Sequence, residues 1–407
     1  MRNVPKLRFK EFCGEWEEKK LGEISSNIMY GLNSSAVEFD GENKYIRITD
    51  INEINGKFEP NPLTSPSGTL DDNFLVNEND ILFARTGASV GKTYHYNIKD
   101  GKLYFAGFLI RFHINKANSK FIYYNTLKED YNKWVALTSM RTGQPGINAE
   151  EYKNYKIKLP CLEEQEKIAD FLSSVDKKIS ITEEKLDLFK EYKKGVMQKI
   201  FNQELRFKDS NGNDYPEWEE KRLGDLITSQ GGKALEKYSD DNGKYKFISI
   251  GNYSENSTFI DNGKRIDLNS ETKKQLLKKN ELVMILNDKT KTGNIIGRTL
   301  LIEKDDTYIY NQRSQRIICK KDFLPQFAYV LLNSSYRNNI IQNAQGGTQI
   351  YINFSTIENF SIELPCLEEQ QKIADFLSSI DNKIENLTSE LEDLKEFKKG
   401  LLQQMFV

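Results

Sequence analysis

The chain has 407 residues, enough for two or three hydrophobic cores, and its 58 lysines and arginines nearly balance its 60 aspartates and glutamates, for a net charge of -2. This balance excludes a uniformly basic nucleic-acid binder, so any DNA contact must depend on local clusters. The chain contains no run of 18 apolar residues and no apolar stretch typical of a secretion signal, and its four cysteines form no disulfide or metal pattern, which together predict a soluble, cytoplasmic protein with reduced thiols.

Residues 1–158 predict a mixed α/β domain. Residues 45–48 alternate between apolar and polar positions, and residues 79–83 pass from the polar turn residues Asn79 and Asp80 into an apolar run, so both segments predict strands. The apolar spacing of residues 121–137 predicts a helix, and residues 155–159 predict a last strand.

A glycine-rich loop follows the buried strand of this domain. Residues 87–93 read GASVGKT and resemble a phosphate-binding loop, but Thr86 stands where that motif requires its first glycine, and the next residues alternate like a strand. Two interpretations remain: a loop that brings Arg85 or Lys92 to a DNA backbone, or a plain hairpin turn.

A second loop, residues 139–146, carries Arg141 and Gln144 among glycines. Glycine permits close backbone approach, and arginine and glutamine side chains have the donor and acceptor geometry that recognises guanine and adenine edges. Asn148 follows, and it fits a helix N-cap better than a base contact.

Residues 159–203 predict a long helix that packs along another helix. Apolar residues recur at spacings of four and three, with Thr182 and Lys193 as the polar exceptions, which is typical of a heptad seam about 50 Å long. The apolar seam positions are Ile168, Leu172, Val175, Ile179, Leu186, Phe189, Val196 and Ile200.

Residues 204–363 predict a second α/β domain with the same outline, including strands at 247–250 and 280–284 and a helix at 327–341. Its loop at residues 287–293 contains Lys289 and Lys291, Arg298 follows, and all three could neutralise phosphates. Residues 343–351 align with the loop at 139–146, and Asn353 fits the same N-cap position as Asn148.

Residues 364–407 closely repeat the sequence of the first long helix, 205 residues after the first copy. Two helices with matching apolar stripes predict an antiparallel pair, and the lysines at equivalent seam positions, Lys193 and Lys398, either fix the register or extend to water. The apolar seam positions of the second copy are Ile373, Leu377, Ile380, Ile384, Leu387, Leu391, Leu394 and Leu401.

The repeat also includes the start of each domain. Residues 7–10 read LRFK and recur at 205–208, directly after the first long helix. The same segment should therefore follow the second helix, which predicts that residues 7–16 lie close to the C-terminal end of that helix in a pseudo-two-fold molecule.

The order of domain, helix, domain, helix, with both helices opening on LPCLEEQ-KIADFLSS-D, resembles the specificity subunit of type I restriction–modification enzymes. The WEEK-LG sequence at residues 16–22 and 218–224 also resembles this family, as does the segment 77–92, which contains the predicted strand and most of the glycine-rich loop. The resemblance implies two target-recognition domains (1–158 and 204–363) that alternate with two conserved helices (159–203 and 364–407). It further implies that these helices form an antiparallel coiled coil and that each domain recognises one half of an asymmetric, bipartite site in double-stranded DNA.

The implied partners are two adenine-N6 methyltransferase subunits and, in the full complex, restriction subunits that cleave DNA with ATP. The second domain departs from the family wording, since residues 287–293 read NDKTKTG.

No catalytic motif stands out. No two prolines are adjacent, which excludes the Asn-Pro-Pro or Asp-Pro-Pro signature of an amino-methyltransferase, and the two histidines, His95 and His113, offer no metal or nucleophile pattern. We therefore predict a non-catalytic subunit with no metal and no cofactor. The alternatives are a coiled-coil protein scaffold without DNA recognition and a self-sufficient nuclease or methyltransferase.

The predicted DNA-contacting residues all lie in or beside the loops described above or at the end of the first strand. They are Arg47, Arg85, Thr86, Ser89, Lys92, Arg141, Thr142 and Gln144 in the first domain, and Lys289, Lys291, Arg298, Gln345, Thr348, Gln349 and Tyr351 in the second.

Overall fold

A computed structural model describes residues 4–141 and 143–407. The chain divides into two compact units: unit 1 is Met1–Glu183 with Ser389–Val407, and unit 2 is Glu184–Thr388. Each unit therefore contains one α/β domain and parts of both long helices. No described helix is long and apolar enough to cross a membrane.

Unit 1 is built on a four-stranded antiparallel sheet of order β2-β9-β6-β7, accompanied by the parallel pair β4-β8 and the antiparallel pairs β3-β5 and β1-β10. The strands are β1 (Glu17–Lys20), β2 (Ser25–Tyr30), β3 (Ala36–Glu38), β4 (Lys44–Ile46), β5 (Thr64–Pro66), β6 (Asp80–Ala84), β7 (Thr93–His95), β8 (Leu103–Phe105), β9 (Leu109–Ile114) and β10 (Lys156–Leu159). The α-helices are α1 (Ser119–Asn125), α2 (Glu129–Thr138), α3 (Ala149–Lys153) and the long α4 (Leu162–Phe201), which continues into unit 2.

Unit 2 repeats this plan with the sheet β12-β19-β15-β17, the three strands β14-β13-β18 and the pairs β11-β21 and β16-β20. The strands are β11 (Glu219–Arg222), β12 (Ile227–Gly231), β13 (Tyr245–Ile248), β14 (Arg265–Ile266), β15 (Leu282–Ile285), β16 (Asn287–Asp288), β17 (Thr299–Leu301), β18 (Tyr308–Tyr310), β19 (Ser314–Cys319), β20 (Ile350–Tyr351) and β21 (Ser361–Leu364). The α-helices are α5 (Leu223–Leu226), α6 (Pro325–Leu332), α7 (Arg337–Gln342), α8 (Phe354–Glu358) and the long α9 (Leu367–Gln404).

The central strands are buried on both faces, which explains their continuous apolar sequences. Every residue of β6 and of β15 is buried. One face packs on the short helices and on the ends of the long helices, and the other packs on the parallel pair β4-β8 or β13-β18. The two apolar runs predicted as buried strands are thus the middle of each sheet.

The single helices predicted at 121–137 and 327–341 are each two short helices. In unit 1 the break falls at Thr126, whose hydroxyl lies 2.8 Å from that of Thr93 on β7. In unit 2 the break falls at Asn333, whose side chain bonds both backbone groups of Thr299 on β17. Apolar spacing continues through both breaks, so it does not reveal that a polar side chain there ties the helix end to the sheet.

The predicted strand at 45–48 is also shorter than expected, because it ends at Ile46. The Arg47 amide donates to Asp50, and in unit 2 the Ser249 amide donates in the same way to Asn252, so both segments turn into a 3-10 helix.

The long helices pair antiparallel within each unit. In unit 1 the Lys398 ammonium of α9 lies 2.6 Å from the Asp176 carboxylate of α4, and in unit 2 Lys193 of α4 pairs with Asp381 of α9. Asp176 and Asp381 are the same position of the repeat, as are the two lysines. Each seam lysine is therefore held by a carboxylate of the facing helix rather than extended into water, and the two pairs define one register.

The apolar seam side chains lie inside these helix pairs. Phe189, Ile384, Leu391 and Leu394 are partly buried. The buried seam positions are Ile168, Leu172, Val175, Ile179, Leu186, Val196, Ile200, Ile373, Leu377, Ile380, Leu387 and Leu401.

A buried ion pair fixes the start of each long helix. Arg8 donates two hydrogen bonds to Glu164, at 2.8 and 2.7 Å, and Arg206 donates to Glu369 in the same way, at 3.3 and 2.8 Å. Glu164 and Glu369 are almost fully buried. These arginines belong to the repeated LRFK segment, which is thereby tied to the repeated LEEQ sequence.

The glutamine of the same repeated sequence links the start of each long helix to the α/β domain of its unit. Gln165 accepts from the Asn118 amide ahead of α1 at 3.0 Å, and Gln370 accepts from the Leu324 amide ahead of α6 at 2.9 Å. The repeated LEEQ sequence is therefore occupied with contacts inside the chain.

The predicted position of the N-terminal segment is confirmed. The Leu7 amide donates to the Gln404 carbonyl at 2.8 Å, and the rings of Trp16 and Phe406 are 6.3 Å apart. In unit 2 the Leu205 amide makes the equivalent bond to Lys199 at 3.1 Å, within a continuous chain.

Candidate nucleic-acid interface

Three segments meet at one edge of the unit 1 sheet. The Arg85 amide, just past β6, donates to the Phe108 carbonyl in the β8–β9 turn at 3.0 Å, and the Ile147 amide donates to the Arg85 carbonyl at 2.9 Å. We call residues 85–91, 106–108, 139–141 and 143–147 loop cluster 1. The cluster brings the glycine-rich loop next to the loop of Arg141 and Gln144, so the two loops predicted to contact DNA lie side by side.

The glycines of this cluster serve close packing rather than phosphate binding. Gly87 has a φ of +71°, and a Cβ there would lie 2.9 Å from the Gln144 amide nitrogen. Gly91 has a φ of +87°, and a Cβ there would lie 2.5 Å from a methyl group of Val135 on α2. The loop forms one 3-10 turn and enters β7, so it lacks the helix N-terminus that a phosphate-binding loop provides.

Several predicted DNA-contacting residues of unit 1 already have partners inside the chain. Arg47 forms a bidentate pair with Asp50, Lys92 lies 2.7 Å from Glu53, and Arg141 bonds Glu151 and the Thr138 carbonyl. Their charges are therefore largely neutralised within the domain.

The remaining candidates of unit 1 fall in different places. Thr86 pairs with Gly146 across the cluster, and Gln144 lies over Gly87. Ser89 lines a separate shallow groove with Lys92. Thr142 lies outside the described residues.

Arg85 differs from the other basic candidates. Its guanidinium lies over the Tyr30 ring at 4.9 Å from the centroid, and its buried Nε has no hydrogen-bond partner. The Tyr30 hydroxyl in turn accepts from the Ala149 amide at 3.1 Å. Arg85 is thus oriented by stacking, and its two terminal nitrogens have no partner among the described residues.

Unit 2 has the same arrangement of backbone. The Leu286 amide donates to the Arg313 carbonyl at 2.8 Å, and the Ile352 amide donates to the Leu286 carbonyl at 3.0 Å. We call residues 286–297, 311–313 and 343–352 loop cluster 2. Its side chains differ from those of loop cluster 1 at nearly every matching position.

The two predicted loops of unit 2 are joined by the β16-β20 ladder, in which Asn287 pairs with Tyr351. Gln345 and Tyr351 exchange two backbone hydrogen bonds of 2.8 Å and close a hairpin. The candidates Gln345, Thr348, Gln349 and Tyr351 are all exposed on this hairpin, and Lys289 and Lys291 are exposed on the neighbouring loop.

Two buried groups hold the lysine-bearing loop. Asp288 accepts from the Thr290 and Ile295 amides at 3.0 and 2.8 Å; burial would raise its pKa, but these hydrogen bonds outweigh burial and lower it. Arg337 donates to the Ile296 carbonyl at 2.8 Å, and burial lowers its pKa to about 10.

Arg298 is the structural counterpart of Lys92. The Ile285 amide donates to its carbonyl at 3.0 Å, as the Ala84 amide donates to that of Lys92 at 2.8 Å. The Arg298 guanidinium bonds the Asn294 carbonyl at 3.2 Å and Ser257, and burial lowers its pKa. Arg298 is thus half-buried and has partners within the domain.

Tyr30, Phe108 and Arg313 also belong to these surfaces but were not among the predicted DNA-contacting residues. Phe108 is 56% exposed at the tip of its turn. Arg313 takes the matching position in unit 2, is exposed and has a φ of +70°. The sequence offered one signal for Phe108 and Arg313: Gly107-Phe108 and Gln312-Arg313 follow matching strands. Because the two pairs share no residue, this signal was weak.

Both histidines have hydrogen-bond partners within the unit 1 domain. His113 lies 2.9 Å from Asp80, while His95 lies 2.9 Å from Ser119, and burial lowers the pKa of His95 to about 4. Within residues 4–141 and 143–407, no group of three His, Cys, Asp or Glu side chains is arranged to hold a metal ion.

Both units match one family model, the type I restriction modification DNA specificity domain, over residues 14–190 and 215–396. The chain belongs to this family. The specificity family also explains the repeat, because its domain occurs twice with the same boundaries relative to the long helices.

Known relatives agree along the whole length. The chain is 32% identical to the type I restriction enzyme MjaVIII specificity subunit of Methanocaldococcus jannaschii over 97% of this chain and 94% of the relative. It is 25% identical to the putative MjaX specificity subunit of the same organism over 98% and 95% of the two chains. The crystal structure of a type I restriction–modification S subunit from M. genitalium has the same fold, with a TM-score of 0.64, 15% identity and 99% coverage of both chains.

Proposed function

We propose that this chain is the DNA-recognition subunit of a type I restriction–modification enzyme. One observation carries the proposal: two loop clusters share a backbone arrangement and differ in their side chains. A shared backbone suits one kind of ligand, and different side chains suit different base sequences. Each cluster would recognise one half of an asymmetric, bipartite site in double-stranded DNA.

Residues 1–158 and 204–363 would be the two target-recognition domains, and residues 159–203 and 364–407 the conserved coiled-coil helices between them. Exposed lysines such as Lys289 and Lys291 would contact phosphates and supply affinity, while the hairpin of Gln345, Gln349 and Tyr351 would face bases.

The chain would carry no catalytic residue and need no metal or cofactor of its own. Methyl transfer to adenine would belong to two methyltransferase subunits, and ATP-dependent cleavage to restriction subunits, all acting in the cytoplasm. The long helices offer an apolar surface for such partners: Leu188 and Tyr192 of α4 are 57% and 51% exposed, and Phe397 of α9, at the position matching Tyr192, is 53% exposed.

The methylated sequence in cells that produce this chain with its methyltransferase partner tests the proposal. We expect N6-methyladenine within one motif of two unlike blocks separated by unspecified bases. Footprinting of the complex should protect both blocks and leave the middle open. A complex that protects no DNA would favour the protein-scaffold alternative, and methyl transfer or cleavage by the isolated chain would favour a self-sufficient enzyme.

The length of the long helices should determine how many base pairs separate the two blocks. Deleting seven residues from each long helix shortens it by about 10 Å, because each residue adds about 1.5 Å. The shortened chain should prefer a gap about three base pairs shorter, since base pairs are about 3.4 Å apart. An unchanged gap would contradict the role of the helices as a spacer.

A further inference from the structure

The arginines of unit 1 divide sharply by their partners. Arg8 and Arg47 pair with carboxylates, Arg111 donates to the Asn73 and Leu75 carbonyls, and Arg141 pairs with Glu151. Arg85 makes no side-chain hydrogen bond or ion pair with any described residue. Among the described arginines of this unit, Arg85 alone has no side-chain hydrogen-bond or ion-pair partner, and although its Nε is buried, its two terminal nitrogens remain available.

The arginines of unit 2 divide in the same way. Six have partners inside the chain: Arg206, Arg222, Arg265, Arg298, Arg316 and Arg337. Arg313 is exposed, and within the described part of the chain its side chain has no hydrogen-bond or ion-pair partner. Each unit thus presents one uncommitted guanidinium.

Each arginine takes part in the equivalent backbone hydrogen bond of its unit, but on opposite sides of that bond. In unit 1 the arginine donates the amide and Phe108 provides the carbonyl, whereas in unit 2 Leu286 donates the amide and Arg313 provides the carbonyl. An arginine and an apolar residue have therefore changed places at one point of the loop clusters. Both clusters present a free arginine beside a large apolar side chain, although sequence alignment does not match the two arginines.

Local structure indicates that both side chains are retained for an external ligand. Stacking on Tyr30 orients the Arg85 guanidinium, and the Tyr30 ring is itself fixed by its bond to Ala149. Arg313 keeps a left-handed backbone, with φ of +70°, at a position where glycine would be free of strain. Strain of this kind concentrates at functional sites.

We propose that Arg85 and Arg313 are the guanine-recognising residues of this chain, one for each half of the DNA site. This inference rests on the proposed function. A guanidinium with free donors presents the fork that bonds guanine O6 and N7 together in the major groove. A phosphate contact needs only a positive charge, which the exposed lysines of unit 2 already supply, whereas orientation of the fork matters for a base.

The test compares methylated motifs of the complex assembled with Arg85→Lys, Arg313→Lys or Arg313→Gly chains. Lysine keeps the charge and loses the fork, so Arg85→Lys should relax one guanine in one half-site by roughly 5- to 150-fold and leave the other half unchanged. Both Arg313 variants should relax one guanine in the other half-site. Arg265→Lys makes the same chemical change at a partly exposed ion pair outside the loop clusters and should leave the motif intact.

Arg313→Gly also separates recognition from folding. Glycine relieves the left-handed backbone, so this variant should unfold at the same temperature as the unchanged chain or higher, while still losing discrimination. Unchanged motifs, uniform weakening at every position as expected of phosphate contacts, or relaxation of the same half-site by both residues would overturn the inference and leave the proposed function standing. A complex that methylates no bipartite motif would overturn both.

Discussion

The starts of the long helices and the loop clusters lie in the same two units, but different features are repeated between the units in each region. At the helix starts, the residues themselves are repeated: Arg8 and Arg206 bond Glu164 and Glu369 with nearly the same geometry. At the loop clusters the backbone hydrogen bonds are repeated and the side chains are not. The repeated side chains have buried partners inside the chain, whereas several of the side chains that vary, such as Phe108 and Arg313, are exposed.

This difference separates two reasons for a sequence to stay the same. The arginine of each LRFK segment pairs with the buried glutamate of a LEEQ segment, and the LEEQ glutamine accepts from the backbone ahead of α1 or α6. A change at any of these residues leaves a charge or a donor unpaired. The loop residues have few such partners, and only the backbone bonds that join the three segments must persist.

The largest expected effect compares the two buried pairs. Arg8→Ala leaves the Glu164 carboxylate without a side-chain donor and should destabilise unit 1 by about 3–5 kcal/mol. Arg206→Ala should cost about 1–2 kcal/mol less, because the Trp218 indole still donates to Glu369 at 2.9 Å. Native-state hydrogen exchange would measure each unit separately.

Lys208→Ala is the control, because its ion pair with Asp214 is exposed on both sides and should contribute less than about 1 kcal/mol. Equal losses from Arg8→Ala and Lys208→Ala would show that the helix starts are no more constrained than the surface.

The next effect concerns the exposed aromatic that both helices retain. Tyr192→Ala should weaken assembly with the proposed methyltransferase partners about tenfold or more, since aromatic residues at the centre of interfaces carry much of the binding energy. Ultracentrifugation or calorimetry with the purified partner would measure it. Ile260→Ala removes an apolar side chain that is 46% exposed on the unit 2 domain, and it should leave assembly unchanged.

A smaller effect distinguishes the two seam ion pairs. A double-mutant cycle with Lys398→Met and Asp176→Asn should give a coupling of about 1 kcal/mol that decreases at high salt. The Lys193–Asp381 pair should give less, since Asp176 also accepts from the Tyr124 hydroxyl at 2.8 Å, and Lys398 lies over that ring. Equal couplings would mean that Tyr124 adds nothing.

The smallest effect separates the two cysteines of the repeat. Cys161 is exposed, whereas burial is the main cause of a raised pKa at Cys366. Thiolate is the reactive form, so Cys366 should react more slowly with a thiol reagent at pH 8, and Cys319, whose pKa burial raises to about 12, should react last. All four thiols should react at similar rates in denaturant; a slow Cys161 in the folded chain would contradict the prediction.

Periodic features could be predicted from the sequence, and partnerships between distant residues could not. The spacing of Ile168 and its successors identified the helix seams, and the Asn148 N-cap followed from a local motif that the structure confirms, since Asn148 accepts from Glu151 at 3.0 Å. At the matching position Asn353 makes no such bond.

The break at Thr126 and the pairing of Lys92 with Glu53 depend on residues brought together by the fold. Arg313 was missed for a related reason: its place is defined by a hydrogen bond across the sheet, and the aligned residue in unit 1 is a phenylalanine.

The seam ion pairs have a consequence for a half-length version of this chain. Asp176 and Lys193 both lie on α4, so a chain of residues 1–203 carries one acid and one base of the register. Two copies placed head to tail would satisfy each other's charges and offer two identical loop clusters, and such a homodimer should select a palindrome. A half-length chain that stays monomeric, or selects an asymmetric sequence, would disprove this.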